Sequence, residues 1–204
     1  MKKSAIVLAL AFLPTLANAN LVVNGSFESD TQAAGTWNIY DNLTGWTGGR
    51  SGIELRNNVA GAASDGVNFV ELDTTKNSSM YQIVSTSADT WYTLSFDYSP
   101  REGVSAESNQ IKVWWNHDLL TSPPLKGDGG PLGSGNSWAS YSFKVLGTGS
   151  DKLLFDALGA NDSYGGSLDN VNVSAVPEPE TYGMMLAGLG LMGFMARRRK
   201  NNQV

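Results

Sequence analysis

Carboxylates and aromatic rings are the side chains through which this 204-residue chain could do chemistry. It has no cysteine and a single histidine, His117. Thiolate catalysis, thiolate zinc sites and iron–sulfur clusters are therefore excluded, and a His-based triad or His-rich metal site has no second member. His117 sits in Asn116-His117-Asp118, between an apolar run and Leu119-Leu120, where a hairpin turn accounts for it. Glu71 and Asp73 are spaced as a glycosidase carboxylate pair could be. Residues i and i+2 of a strand share one face about 6.5 Å apart, although any acidic strand offers such pairs. Gly127-Asp128-Gly129-Gly130 lacks the lysine and the strand–helix setting of a phosphate loop. No G-x-S-x-G or H-E-x-x-H motif is present. The chain does not read as an enzyme; a polysaccharide hydrolase with an unrecognised site is the outside alternative.

Sugars stack on exposed aromatic rings, and carboxylates, amides and arginine supply the directional hydrogen bonds. In Ile111-Lys112-Val113-Trp114-Trp115-Asn116, strand alternation puts Trp115 with Ile111 and Val113, on a core face. Trp114 shares the other face with Lys112 and Asn116, which leaves it open between solvent and core. Trp46, Tyr40, Arg101 and Tyr164 stand in loop contexts that could rim a cleft. The candidate glycan-binding set is Trp46, Trp114, Arg101 and Tyr164. Trp37, Trp91 and Trp138 are read as core, because aromatics fill sandwich interiors.

The elements that must position these residues are strands. Trp91 to Tyr98 alternates most clearly, with Tyr92, Leu94, Phe96 and Tyr98 on one face. Similar runs are 67–72, 80–86, 111–116, 141–145, 153–158 and 168–173, separated by turn-rich segments at 57–66, 100–109, 123–137, 147–151 and 159–166. No helical periodicity of useful length appears between residues 20 and 176. Many short strands with Gly-rich turns indicate an all-β sandwich, a jelly roll. Its expected core holds Tyr92, Leu94, Phe96, Val113, Trp115, Phe143 and Phe155. Residues 20–176 carry 17 acidic and 8 basic side chains, about −9 against −5 for the whole chain. So acidic a body is a poor partner for nucleic acid or anionic lipid.

Both ends read as addresses. Lys2-Lys3, the apolar stretch Ala5 to Leu13, Pro14 and Ala17-Asn18-Ala19 form a secretory signal peptide at 1–19, removed by signal peptidase. At the other end, Val176-Pro177-Glu178-Pro179-Glu180-Thr181 precedes an uncharged run from Tyr182 to Ala196 and the basic cluster Arg197, Arg198, Arg199 and Lys200. That order resembles the PEP-CTERM sorting signal of bacterial envelope proteins, with Pro177, Glu178 and Pro179 as its motif. The resemblance implies processing by a membrane-bound exosortase-type enzyme. As a helix the 182–196 run spans about 22 Å, short of a hydrocarbon core of about 30 Å, so it would need thinning or snorkelling. The basic cluster would stay cytoplasmic and leave the body outside. These segments set the domains at 1–19, 20–175 and 176–204. The expected localisation is export through the cytoplasmic membrane, anchoring by the tail helix, then the envelope, surface or medium after processing.

The body carries a second likeness. Leu21-Val22-Val23-Asn24-Gly25-Ser26-Phe27-Glu28 resembles the N-G-x-F-E opening of galactose-binding-like β-sandwich modules, among them many carbohydrate-binding modules. Gly45-Trp46, Ile53-Glu54, Asp65 to Asp73 and the closing Ser167-Leu168-Asp169-Asn170-Val171 fit the same pattern. The resemblance implies a structural Ca²⁺ shared by the first-strand Glu and the last-strand Asp, here Glu28 and Asp169, with Asn24 or Asp65 as less direct candidates. Two carboxylates and several carbonyls suit Ca²⁺, which takes six to eight oxygens. The expected protein is a non-catalytic, exported envelope protein acting in matrix, biofilm or surface assembly. The alternative is a module binding exopolysaccharide or cell-wall polymer.

Overall fold

The computed structural model describes residues 19–177 and 186–193. The signal-peptide segment up to 18, the motif residues Glu178 and Pro179, and Arg197 to Lys200 lie outside the described residues.

Twelve strands follow in chain order: β1 (Trp37–Tyr40), β2 (Asn42–Leu43), β3 (Trp46–Gly48), β4 (Ile53–Asn57), β5 (Asn68–Glu71), β6 (Ser79–Ser85), β7 (Trp91–Ser99), β8 (Gln110–Trp115), β9 (Asp118–Leu119), β10 (Ala139–Leu146), β11 (Ser150–Leu158) and β12 (Ser167–Ala175). They form two six-stranded sheets, β1-β4-β5-β12-β7-β10 and β2-β3-β6-β11-β8-β9. Every pairing between them is antiparallel. The inner faces meet in one core. Tyr92, Leu94, Phe96 and Tyr98 of β7 face Val113 and Trp115 of β8 and Leu153 and Phe155 of β11, all buried. The Phe96 ring meets that of Phe155 edge-on at 5.1 Å. Phe143, on edge strand β10, is only partly buried and stacks on Phe96.

The opening segment differs from expectation. Residues 21–29 are turns rather than a first strand. They are strapped along β12 by the Leu21 amide donating to the Val173 carbonyl and the Val171 amide to the Gly25 carbonyl. A Cβ on Gly25 would lie 2.0 Å from the Val171 carbonyl oxygen, so only glycine lets the strap lie down.

The outer face of the first sheet is unusual for its polarity and for its burial. Glu54 and Arg56 of β4 and Glu71 of β5 point away from the core, yet all three are buried. On the same face Asp97 of β7 stands opposite Asp169 of β12 in register, both buried. The covering layer comes from the loops 58–66, 100–109 and 126–138. Trp138, expected in the core, is instead part of this cover. Its ring meets Phe69 edge-on at 5.7 Å and its Nε1 donates to the Ala62 carbonyl. Trp37 and Trp91 are not core either, being 53 % and 45 % exposed. Trp37 lies on edge strand β1 opposite Arg56, hence on the outer face. Trp91 opens β7 out of phase with Tyr92 and takes the Lys144 ammonium over its ring at 4.4 Å.

Residues 186–193 are helical and mostly exposed. Among the described residues no helix is long and apolar enough to cross a membrane; most of the expected 182–196 span's flanks fall outside them.

Candidate functional site

At one end of the sandwich, where β7 runs out and β12 begins, the chain gathers its densest polar network. Glu71 is its hub and has no exposed surface. Arg101 Nη1 donates to both Glu71 oxygens at 3.1 and 3.2 Å. Arg56 Nη2 bridges Glu71 Oε2 at 2.9 Å and Glu54 Oε1 at 2.6 Å. The Gly165 amide adds a bond to Glu71 Oε1 at 2.9 Å. Burial pushes the Glu71 carboxyl up to about 7, against the pull of Arg56 and Arg101. The register explains the meeting, since Glu71 stands opposite Glu54 on one side and opposite Ser167 on the other.

Arg101 carries this network to the surface. Its side chain is partly exposed, and its guanidinium lies 4.5 Å from the centre of the exposed Tyr164 ring. Nη1 is committed to Glu71, while Nε and Nη2 donate to no described residue. Beside them opens a cavity of about 380 Å³ lined by Arg101, Glu102, Val104, Leu132, Asp162 and Tyr164. The loop that bears Arg101 is organised by fully buried Asn109. Its Oδ1 accepts the Arg101 amide, and its Nδ2 donates to the carbonyls of Val104, Ser105 and Gly127. Gly129 is needed where the two covering loops touch, because a Cβ there would strike the Arg101 carbonyl oxygen at 1.7 Å. Asp162 is set in the wall by the Ser108 hydroxyl at 2.6 Å and the Tyr164 amide at 3.1 Å, and its own amide donates to Asp73 Oδ2 at 3.2 Å. Burial raises the Asp73 carboxyl above its ordinary range. Glu71 and Asp73 thus lie together beneath this pocket. Glu71 is locked between two arginines with no exposed atom, so it is out of reach of a substrate as a general acid or nucleophile.

Of the sequence candidates, Arg101 and Tyr164 come together, and the other two do not join them. Trp46 is buried between Phe27 and Phe155, ring centres 5.9 and 6.1 Å away, with Nε1 bonded to the Asn24 carbonyl. Its position on β3, alternating with exposed Thr47, turns it inward. Trp114 is half-buried on the outer face of the second sheet, in a cross-strand row Tyr81–Leu154–Trp114–Leu119. Tyr40 is half-buried and bonds Gln32. Leu132 and Asp162 were missed as pocket residues because a loop sequence carries no register to place them.

Glu28 and Asp169 grip one loop from two sides. Glu28 Oε1 accepts the amides of Val67 and Asn68 at 2.7 and 2.6 Å. Asp169 Oδ2 accepts those of Ser64 and Asp65 at 2.7 and 2.9 Å, and Oδ1 that of Asn170. Asp97 holds the Ser64 hydroxyl and the Asn170 side-chain amide. Desolvation, with Asp65 adding repulsion, pushes the Asp169 carboxyl up to about 7. None of the salt bridges among the described residues reaches Glu28, Asp97 or Asp169. Nor do three acidic or histidine side chains converge there as a ready metal cage. The oxygens there are of the type a hard cation takes, and Glu28 Oε1 and both Asp169 oxygens are already engaged by backbone amides.

A protein-family model, the PEP-CTERM protein-sorting motif, matches residues 175–200. The chain is 30 % identical over 158 residues to a multifunctional-autoprocessing repeats-in-toxin protein of Vibrio vulnificus, and 30 % identical over 154 residues to that of Vibrio cholerae. Each match takes in 74 % of this chain and spans only 3 % of the toxin's length. Among solved structures, a family 61 carbohydrate-binding module in complex with β-1,4-galactotriose superposes with a TM-score of 0.50 at 14 % identity, over 78 % of this chain and 99 % of the module. A family 35 module from Clostridium thermocellum gives 0.44 at 14 % identity, over 68 % and 97 %. The fold is that of galactose-binding-like jelly-roll modules, and the chain carries a PEP-CTERM sorting motif.

The raised Asp169 carboxyl has a measurable sign. An acid whose folded pKa exceeds its unfolded one adds stability at low pH and loses it as pH rises through the folded value. With chelator present, stability should fall between about pH 4 and pH 7, by about 1 kcal/mol per pH unit for this group where the slope is steepest. Denaturant melts of wild type and Asp169→Asn at pH 5 and 7.5 check this. The variant should lose part of the difference between the two pH values; an unchanged difference contradicts the assignment.

Proposed function

We propose that this chain is an exported, non-catalytic envelope protein whose sandwich binds a glycan at the Arg101–Tyr164 pocket. The arginine–aromatic pair is the observation that carries this reading. A ring presents a face for a sugar's C–H surface, and a guanidinium fixed at one nitrogen offers its remaining donors to hydroxyl or ring oxygens. Loss of one such anchor is usually decisive in a small site. A glycan array probed with the secreted protein, including β-1,4-galactooligosaccharides, identifies the sugar. On the best ligand, Arg101→Ala and Tyr164→Ala should each weaken binding at least about 10-fold, or about 1.4 kcal/mol, while Trp114→Ala should not. Loss through Trp114 with Tyr164 dispensable would move the site to the second sheet. That site would be the half-buried row Tyr81–Leu154–Trp114–Leu119, whereas an array on which no glycan binds would favour the other reading, matrix, biofilm or surface assembly.

The sorting motif supports export and delivery to the envelope. In this reading signal peptidase removes 1–19, the uncharged segment 182–196 holds the protein in the membrane, and an exosortase-type enzyme cuts near Pro177. Intact mass of the envelope-associated protein should show a chain beginning at Asn20 and ending near residues 177–181. A species retaining Met1 would defeat the export claim, and an uncut tail would defeat the sorting step alone.

Glu28 and Asp169 would share a structural Ca²⁺ that pins the opening strap and the 64–68 loop to β12. An ion that binds only the folded chain stabilises it by about 2.7 kcal/mol at 100-fold above Kd. The melting temperature should therefore rise with Ca²⁺ and fall back with chelator, and much of that response should vanish in Glu28→Gln. A full response in Glu28→Gln would remove the ion from this place.

A further inference from the structure

Beside the pocket, two segments meet and leave buried oxygens without partners. Asp73, just past β5, faces Asn77 across a single antiparallel bridge, so their side chains share one face. Asp73 is fully buried, and its Oδ1 bonds to nothing among the described residues. Asn77 spends Nδ2 on the Gly159 carbonyl at 3.1 Å, which fixes the amide's orientation and leaves its buried Oδ1 equally unpartnered. From the opposite side the 159–164 loop brings Asp162 onto Asp73, the Asp162 amide donating to Asp73 Oδ2 at 3.2 Å, while Asn161 Oδ1 takes the Asn77 amide at 2.6 Å. None of the ion pairs among the described residues includes Asp73 or Asp162. Neighbouring carboxylates and a stranded amide oxygen, buried without partners, cost free energy unless something positive sits among them.

We propose that Asp73, Asn77 and Asp162 hold a divalent cation, Ca²⁺, that clamps the 159–164 loop to the turn after β5. All the donors are oxygens, as a hard cation requires. Ca²⁺ accepts six to eight of them in irregular geometry, so backbone carbonyls and water complete the shell, whereas Mg²⁺ demands a near-ideal octahedron. Asp162 is exposed along the pocket wall, which gives the ion a path in from solvent. The site is separate from Glu28 and Asp169, which grip the 64–68 loop. It stands whether or not a glycan binds, although the clamped loop is the one that carries Tyr164.

Calorimetric titration of the secreted protein with CaCl₂ tests this, in a Glu28→Gln background so that the equivalent counted belongs to this site. Asp162→Asn should abolish that equivalent or weaken it at least 10-fold. Asn77→Asp adds a third carboxylate at the stranded oxygen. With a cation there it should bind Ca²⁺ at least 10-fold more tightly and melt lower only in chelator. Without a cation, the extra charge lowers the melting temperature in calcium and chelator alike, with no gain in affinity. Unchanged binding in Asp162→Asn, or no gain in Asn77→Asp, overturns the proposal and leaves the two aspartates sharing a proton.

Discussion

The carboxylate of Glu71 is the constraint on which the loop-covered end of this molecule depends. It is buried on the outer face of a sheet, where an unpaired charge would cost several kcal/mol. Arg56 and Arg101 are therefore obliged to meet it. Arg56 also binds Glu54, so two acids and two bases close into a nearly neutral cluster. One of the four, Arg101, stands in the loop after β7 rather than in a strand, and so reaches the surface. Its position there is set by the partner beneath it, and the Tyr164 ring lies against a guanidinium that has little freedom left. A pocket wall made this way is ordered without a ligand, and a ligand bound there would carry a lower ordering cost.

The sandwich works with two different kinds of interior. Between the sheets lies an apolar core of conventional make-up, with Phe96, Phe155, Trp46 and Trp115 at its centre. Outside the first sheet lies a second buried layer made of Glu54, Arg56, Glu71, Asp97 and Asp169, closed over by loops that are fastened by backbone amides and by Asn109 and Trp138. The first interior sets stability through area. The second sets loop geometry through directional bonds, and its unpaired carboxylates are where cations would enter.

Strand alternation made the long elements legible. β6, β7, β8, β11 and β12 fall where period-two patterning puts them, because one face of each meets the core and the other is polar. β4, Ile53-Glu54-Leu55-Arg56-Asn57, is not among the runs that alternation picks out, and all five of its residues are buried. The charges that spell solvent in sequence are here paired under a loop. The same ambiguity misplaced the tryptophans. Trp46, in a short strand of three residues, had no neighbours from which to read a phase; Trp37 sits at a strand start; and Trp91, out of phase with Tyr92, belonged on the outer face by the alternation of its own strand. Arg101 and Tyr164 were recognisable because loop residues of those types need a reason to be there. That Glu71 joins them required the register of three strands, which a sequence does not print.

Glu71 immobilises Arg101 against Tyr164. Side-chain ¹⁵N NMR of the arginines reads this directly. Arg101 should show guanidinium signals shifted by the Tyr164 ring and slow rotation about the Nε–Cζ bond, with its Nη1 hydrogens held on Glu71; Glu71→Gln should restore the averaged behaviour of exposed Arg50. An Arg101 signal in the wild type that is already averaged and unshifted, indistinguishable from Arg50, would contradict the account.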